Sequence, residues 1–378
     1  MRKYKRNFLI FLCIISILPL SGCWDIVEIE DRGFVMGMGL DKGENEGEIV
    51  VTYQIALPQG MFGEGAEENK TWNISAVADR FIVADKKMLA RMNKVIDLEH
   101  TQVLIIGEEL ARDGIRKYMD LFLREIDIRL QTNVMVAEGK AKDILEVTPP
   151  TAMSTAQYLN EISVLNAKRL YRISPSMDLL KMSKVMVSNM DFLLQKLSKG
   201  EEDISLAGGA VFREDKLIGF LSDEDIRKAK WLTRDMTEGI IKFENIAGSQ
   251  GATVFVTEEV RTTIKPVFYE DKVDFNVHIR IEGRVTEMED LDYRVTESSA
   301  YIESLQSSIE ELVKKECNEI LKKSQDEFNA DFLGLGKLVK NYNLRWWKEH
   351  EKDWRNIFKK SKLNMNVEAY VRTVGFSQ

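Results

Sequence analysis

Cysteine, histidine and proline are scarce in this 378-residue chain, which holds three, three and six of them. Three Cys scattered at 13, 23 and 317 cannot build a disulfide scaffold, and three isolated His cannot complete a zinc framework. So little Pro, with 30% charged and 44% hydrophobic residues, excludes Pro-rich low complexity and wholesale disorder. Positive charge is not in surplus either: 53 Lys+Arg stand against 61 Asp+Glu, a net charge of −8. A protein that tracks nucleic-acid phosphates needs a basic face, so this balance argues against nucleic acid as a partner. Finally, no apolar run reaches the roughly 20 residues of a membrane-spanning helix. The length suggests two or three domains at about 150 residues each.

The N-terminus carries an address. Arg2, Lys3, Lys5 and Arg6 form a basic patch, followed by an uncharged apolar run over residues 8–20. That order is the layout of a secretory signal peptide. Leu20-Ser21-Gly22-Cys23 follows directly. Small residues at Ser21 and Gly22 suit a peptidase cleft, and the next residue offers a thiol. The arrangement resembles the bacterial lipobox, in which Cys23 receives a diacylglyceryl group and becomes the first residue after cleavage of 1–22. Cys13 is a poor competitor, because Leu12 stands where a small residue is wanted. Each buried CH₂ of an acyl chain contributes roughly 0.8 kcal/mol, so two or three chains hold a protein on a bilayer firmly. Cleavage removes four basic residues and no acidic one, which leaves a still more acidic chain. Anionic headgroups repel such a chain, so the tether rather than surface charge must hold it.

The mature chain reads as two α+β regions, 23–200 and 204–378, with 197–203 as linker. In the first, residues 33–41 and 48–57 predict a β-hairpin, 58–70 an exposed mobile loop, and 72–76 a strand. A partial helical face covers 78–93. Strands at 101–106 and 133–137 alternate with helices at 108–115, 118–129 and 140–146. Further helices are expected over 155–167 and 176–197, so this region has room for two subdomains.

In the second region, 204–213 and 216–221 predict strands around the tight turn Glu214-Asp215, and 226–235 a short helix. Strands over 253–263, 265–270 and 273–282 follow. The last alternates strictly, with Val273, Phe275, Val277, Ile279 and Ile281 opposite Asp274, Asn276, His278, Arg280 and Glu282. One packed and one wet face mean an antiparallel sheet. Thr296 opens a long amphipathic helix, 296–328, whose stripe runs through Ile302, Leu305, Ile309, Leu312, Val313, Cys317, Ile320 and Leu321. Two more helices, 331–341 and 344–358, precede a closing strand at 363–374. The fold class is α+β: multi-domain, with mixed or antiparallel sheets packed against amphipathic helices.

Residues that suggest chemistry mostly dissolve on inspection. Gly33, Gly37 and Gly39 lack the spacing and the following helix of a dinucleotide loop. Gly334-Leu335-Gly336-Lys337 lacks the upstream Gly and the Ser/Thr of a phosphate loop. His100, His278 and His350 have no metal-ligand spacing, and no G-x-S-x-G elbow is present. Cys317 on the apolar stripe reads as an inert buried thiol. Trp346, Trp347 and Trp354 among lysines could face a membrane or partner, but core packing is the simpler reading. No catalytic, cofactor-binding or metal residue is assigned.

Several blocks downstream of the lipobox resemble the Ger(x)C family, the lipoprotein C subunits of spore germinant receptors. They are Cys23-Trp24-Asp25, Glu28-Ile29-Glu30-Asp31-Arg32-Gly33 and Gly37-Met38-Gly39-Leu40-Asp41. Next come Ile106-Gly107-Glu108-Glu109-Leu110-Ala111 with Gly114-Ile115, then Gly208-Gly209-Ala210-Val211-Phe212 with Lys216-Leu217-Ile218-Gly219. Asp331-Phe332-Leu333-Gly334-Leu335-Gly336, followed by Trp347 and Trp354, resembles the closing block. The resemblance implies a non-enzymatic subunit on the outer face of the spore's inner membrane, needed for nutrient-triggered germination. It implies two integral-membrane partners, a channel-like A subunit and a transporter-like B subunit. It carries over one functional position, Cys23, and no cofactor beyond its covalent lipid. Two alternatives stay open from the residues: a lipid-anchored wall hydrolase using paired carboxylates, and a lipid-anchored small-ligand-binding protein.

Overall fold

The computed structural model describes residues 28–56, 71–124, 126–149, 154–169, 172–201, 203–233, 236, 239–244, 252–288 and 298–374, together with Tyr4, Phe8 and Ala152. The loop expected at 58–70 lies outside them. Two mixed sheets organise the rest.

The larger sheet is nine-stranded and ordered β3-β2-β1-β5-β6-β7-β8-β9, with β4 beside β1. Its centre is parallel: β1 (Arg32–Lys42), β5 (Val103–Gly107), β6 (Asn133–Ala137) and β7 (Phe192–Lys199) run the same way. Every residue of β5 and β6 is buried, as expected where helices cover both faces of a parallel strand. The expected hairpin of β1 with β2 (Ile49–Ala56) forms, with Phe34 opposite Ala56 and Lys42 opposite Ile49. β3 (Thr71–Ala78) adds antiparallel to β2, and the short β4 (Val95–Asp97) lies parallel to the start of β1.

One face of this sheet is covered by α1 (Phe81–Leu89), α2 (Glu108–Asp113) and α3 (Arg116–Arg124). The other carries α4 (Ala141–Leu145) and α5 (Thr155–Arg169), packed on Val103, Ile105 and Met135. α5 approaches β1 so closely that a Cβ added to Gly37 would lie 2.7 Å from the Ala156 Cβ. The β1 glycines therefore serve packing, not a phosphate. α3 stops at Arg124, short of the expected 129, and Leu130 is exposed.

The expected helix at 176–197 is two elements. α6 (Leu179–Val187) joins the first face, Asn189 takes a left-handed φ of 46°, and β7 begins at Phe192. The stretch 197–203, expected as a linker, begins with the last residues of β7, which pairs antiparallel with β8 (Ile204–Arg213) from Lys199–Ile204 to Phe192–Phe212. β9 (Lys216–Leu221) follows after a turn at Glu214, φ 58°.

The smaller sheet is ordered β10-β11-β12-β13. α7 (Asp223–Thr233) leads into β10 (Gly239–Glu244), a strand the sequence reading lacked. The two strands expected at 253–263 and 265–270 are one, β11 (Ala252–Phe268), bulged at two places. Pro266 is tolerated inside it because β10 pairs only with residues 252–257, so among the described residues no strand on that side needs the missing N–H. β12 (Val273–Met288) buries the alternating apolar set as expected. The sheet is not purely antiparallel, however: β13 (Leu363–Val374) pairs parallel to β12, because the helices between them return the chain to the starting end.

Those helices begin with α8 (Ser299–Lys322), which continues into a π-helical turn at residues 323–327. Its N-cap is Ser298, whose hydroxyl accepts from the Tyr301 N–H; such a cap contributes about 1 kcal/mol. Thr296, expected to open this helix, lies outside the described residues. Leu305, Ile309, Val313, Cys317 and Ile320 are fully buried, each aliphatic one adding roughly 1.5–3 kcal/mol. α9 (Leu335–Tyr342) starts four residues later than expected. The stretch 344–358 is divided into α10 (Leu344–His350) and α11 (Trp354–Lys360) by a short turn of 3-10 helix. No helix among the described residues is long and apolar enough to cross a membrane.

Candidate functional site

Leu20, Ser21, Gly22 and Cys23 lie outside the described residues. The structure shows instead how the chain just beyond them is fastened. A turn of 3-10 helix at Ile29–Asp31 feeds Arg32 into β1. The Arg32 guanidinium bonds Asp97 at 3.0 Å, and Lys94 Nζ donates to the Glu30 carbonyl at 2.6 Å. Burial pushes the Asp97 carboxyl up, but bonds from the Glu99 N–H, His100 and Arg32 outweigh it and hold the group below its ordinary value. Residues 30–32 are thus fastened to the stretch 94–97.

At the opposite end of β1, a cleft of about 920 Å³ opens between the β1–β2 turn, β3, α1 and the start of α4. Three of its cations have partners. Lys87 donates to the Val77 carbonyl and Arg91 to the Ser75 carbonyl, while Lys42 pairs with Asp113 at 2.8 Å. Asp41 accepts from the Ala141 and Lys142 N–H groups at 2.7 and 2.9 Å, and burial raises its carboxyl above the ordinary value despite them. This explains Asp41 in the block Gly37–Asp41: it ties β1 to the first turn of α4.

The closing block has a comparable role. Asp331 accepts from the Leu335 and Gly336 N–H groups at 3.0 and 2.5 Å, and from Trp354 Nε1 at 3.2 Å. Its own N–H donates to Asp191 at 2.9 Å, across 140 residues of sequence. Asp191 also accepts from the Glu214 N–H at 3.2 Å and faces the Arg355 guanidinium at 3.6 Å. Burial, with a smaller push from Asp191, lifts the Asp331 carboxyl to about 7. Gly334, at φ 73°, opens the turn that lets this one carboxylate cap α9. The cluster joins the β7 and β8–β9 end of the large sheet to the C-terminal helices.

A third polar group was missed by sequence reading. Glu316 sits on the apolar stripe of α8 and takes both Arg227 nitrogens, at 2.8 and 2.5 Å, and Trp231 Nε1 at 2.9 Å. Its signal was present: a Glu between Val313 and Ile320, at helical spacing, fills a slot where apolar residues belong.

The remaining candidates are structural. His100 lies edge-on to Phe34, His278 meets Asn366 at 3.1 Å, and His350 stacks on Trp346, so the three never converge. Cys317 is fully buried, and burial pushes its thiol far up. Trp346 and Trp347 are core residues, and Trp354 packs against Trp347 with ring centroids 5.3 Å apart. No group of three His, Cys, Asp or Glu among the described residues is placed to hold a metal.

Comparison with known proteins is now informative. The sequence profile described as the spore germination protein N-terminal domain matches residues 25–199. That described as spore germination B3/GerAC-like, C-terminal, matches residues 207–375. The chain belongs to the Ger(x)C family of spore germination proteins. Spore germination protein YndF of Bacillus subtilis (strain 168) is 25% identical over 402 residues, covering 99% of this chain and 98% of that protein. Spore germination protein B3 of the same organism is 22% identical over 367 residues, covering 95% and 96%. The crystal structure of the GerBC protein matches with a TM-score of 0.61 at 19% identity, over 91% of this chain and all of that one, so the two share a fold. In this Ger(x)C protein, the blocks at Asp41 and Asp331 are where polar side chains tie distant elements together.

Proposed function

We propose that this Ger(x)C protein is a lipid-anchored, non-enzymatic C subunit of a spore germinant receptor. A diacylglyceryl group on Cys23 holds it at the outer face of the spore's inner membrane. There it acts by contact with the integral-membrane A and B subunits. The observation that carries the reading is the pairing of Leu20-Ser21-Gly22-Cys23 with family matches that begin two residues later and run nearly to the C-terminus. The polar clusters support it: Asp41, Asp331 and Glu316 spend their hydrogen bonds on fastening helices and sheets. A tether confines the folded part to the membrane plane and raises its effective concentration beside partners there.

Replacing Cys23 with Ala tests this. The variant is expected in the soluble fraction, with nutrient-triggered germination lost or strongly slowed. Normal germination by spores that retain the variant at normal level in the membrane would contradict the proposal.

A further inference from the structure

The register of the large sheet fixes which end of the protein a lipid on Cys23 brings to the membrane. Cys23 and Glu28 are five peptide steps apart, so even fully extended chain spans at most about 18 Å between them. β1 then runs away from that point, and at about 3.3 Å per residue its far end at Lys42 lies roughly 33 Å beyond Arg32. The end at Arg32 is therefore the one that the tether holds close to the bilayer surface.

Several elements end there. Val95 lies beside Arg32; Val103 lies beside Gly37, midway along β1, and the chain reaches it from the Arg32 side through β4. Asn133 pairs with Val103, so β6 also starts level with the middle of β1, and the chain enters it from the Arg32 side. Thr71 pairs with Ala56, itself opposite Phe34, so β3 begins at the same end. This end exposes apolar side chains: Ile29 at 66%, Val95 at 51%, Leu130 and Leu180 at 39%, and Trp72 at 38%. Leu130 and Leu180 are adjacent, since the Leu180 N–H donates to the Leu130 carbonyl at 3.0 Å.

We propose that this end of the large sheet, through Ile29, Trp72, Val95, Leu130 and Leu180, rests on the lipid bilayer and adds an interfacial contact to the anchor. Aliphatic side chains enter the headgroup–acyl boundary, and the Trp suits the headgroup level. The 920 Å³ cleft at the far end of β1 then faces away from the membrane. The proposal rests on the anchoring of Cys23.

Site-directed spin labelling of the lipidated, full-length chain tests it. In the mature lipidated chain Cys13 has left with residues 1–22, Cys23 is acylated and Cys317 is buried, so one engineered thiol takes the nitroxide. Labels go at V95C and L130C, and at V77C as control, because Val77 is exposed but pairs with Val50 opposite Asp41 at the far end. Each is compared between phosphatidylethanolamine–phosphatidylglycerol vesicles and an unlipidated form that lacks residues 1–23, in solution. The expected result is that labels at 95 and 130 lose accessibility to a water-soluble nickel chelate and gain it to oxygen. Their depth should be within roughly 5–10 Å of the headgroup boundary, with position 77 unchanged. Protein that floats with the vesicles while all three labels stay equally open to the chelate would overturn the proposal and leave the anchor intact. Labels at 95 and 130 that lose access to both chelate and oxygen would replace the bilayer by a protein contact. Protein that does not float would overturn the anchor itself.

Discussion

Desolvation and hydrogen bonding pull in opposite directions at Asp331. Three N–H donors favour its charged form, burial opposes it, and the outcome is a carboxyl raised to about 7. An unfolded Asp titrates near about 3.9. Between those values the folded chain holds a proton that the unfolded chain has released. The group's contribution therefore favours folding most at the acid end and declines as pH rises from about 4 to about 7, by up to about 4 kcal/mol. Asp41 and Asp191, also raised, act with the same sign. Asp331→Asn stays neutral throughout, so its stability should vary less between pH 5 and pH 8 in chemical denaturation. It should also be destabilised by about 1–3 kcal/mol at pH 5, because an amide cannot accept from all three donors. An unchanged pH slope would show that Asp331 is not the titrating group. The block around Asp331 was legible in the sequence, but its role was not: the partners Asp191 and Trp354 stand 140 and 23 residues away.

At the scale of elements, a buried ion pair joins α7 to α8, beside the more exposed Lys228–Glu319 pair. Arg227 and Glu316 are both buried, and the Trp231 indole completes the carboxylate's bonds. Removing one partner leaves the other charge stranded, which costs about 3–5 kcal/mol. Glu316→Ala should thus lose about that much in urea denaturation, whereas the double replacement Arg227→Met, Glu316→Met should lose clearly less. Equal losses would mean that packing, not the pair, holds the helices. Elements with a clear period were legible: the β1–β2 hairpin, the alternating β12 and the stripe of α8. β7 was not. Its residues Phe192 to Gln195 are all buried, so no alternation marks them, and Leu193 and Leu194 suit a helix equally well. The break at Asn189 depends on a left-handed backbone that Asn tolerates but does not announce. The parallel pairing of β13 was hidden for another reason: strand direction depends on what lies between strands, not on the strand's own pattern.

At the scale of the molecule, the sequence states the address more plainly than the mechanism. The segment that resembles a lipobox sits in the first 23 residues, and its reading is local. The surface proposed to rest on the membrane is assembled from segments far apart in sequence, such as Ile29, Trp72, Val95 and Leu130, and only the fold brings them together. Everything proposed about position and partners depends on the chemistry of one residue. Mass spectrometry of the N-terminal peptide of the protein extracted from spore membranes reads that chemistry directly. The account predicts a chain that begins at Cys23 and carries the mass of a diacylglyceryl group on that residue. A chain that still begins at Met1, or that begins elsewhere with Cys23 unmodified, would contradict it.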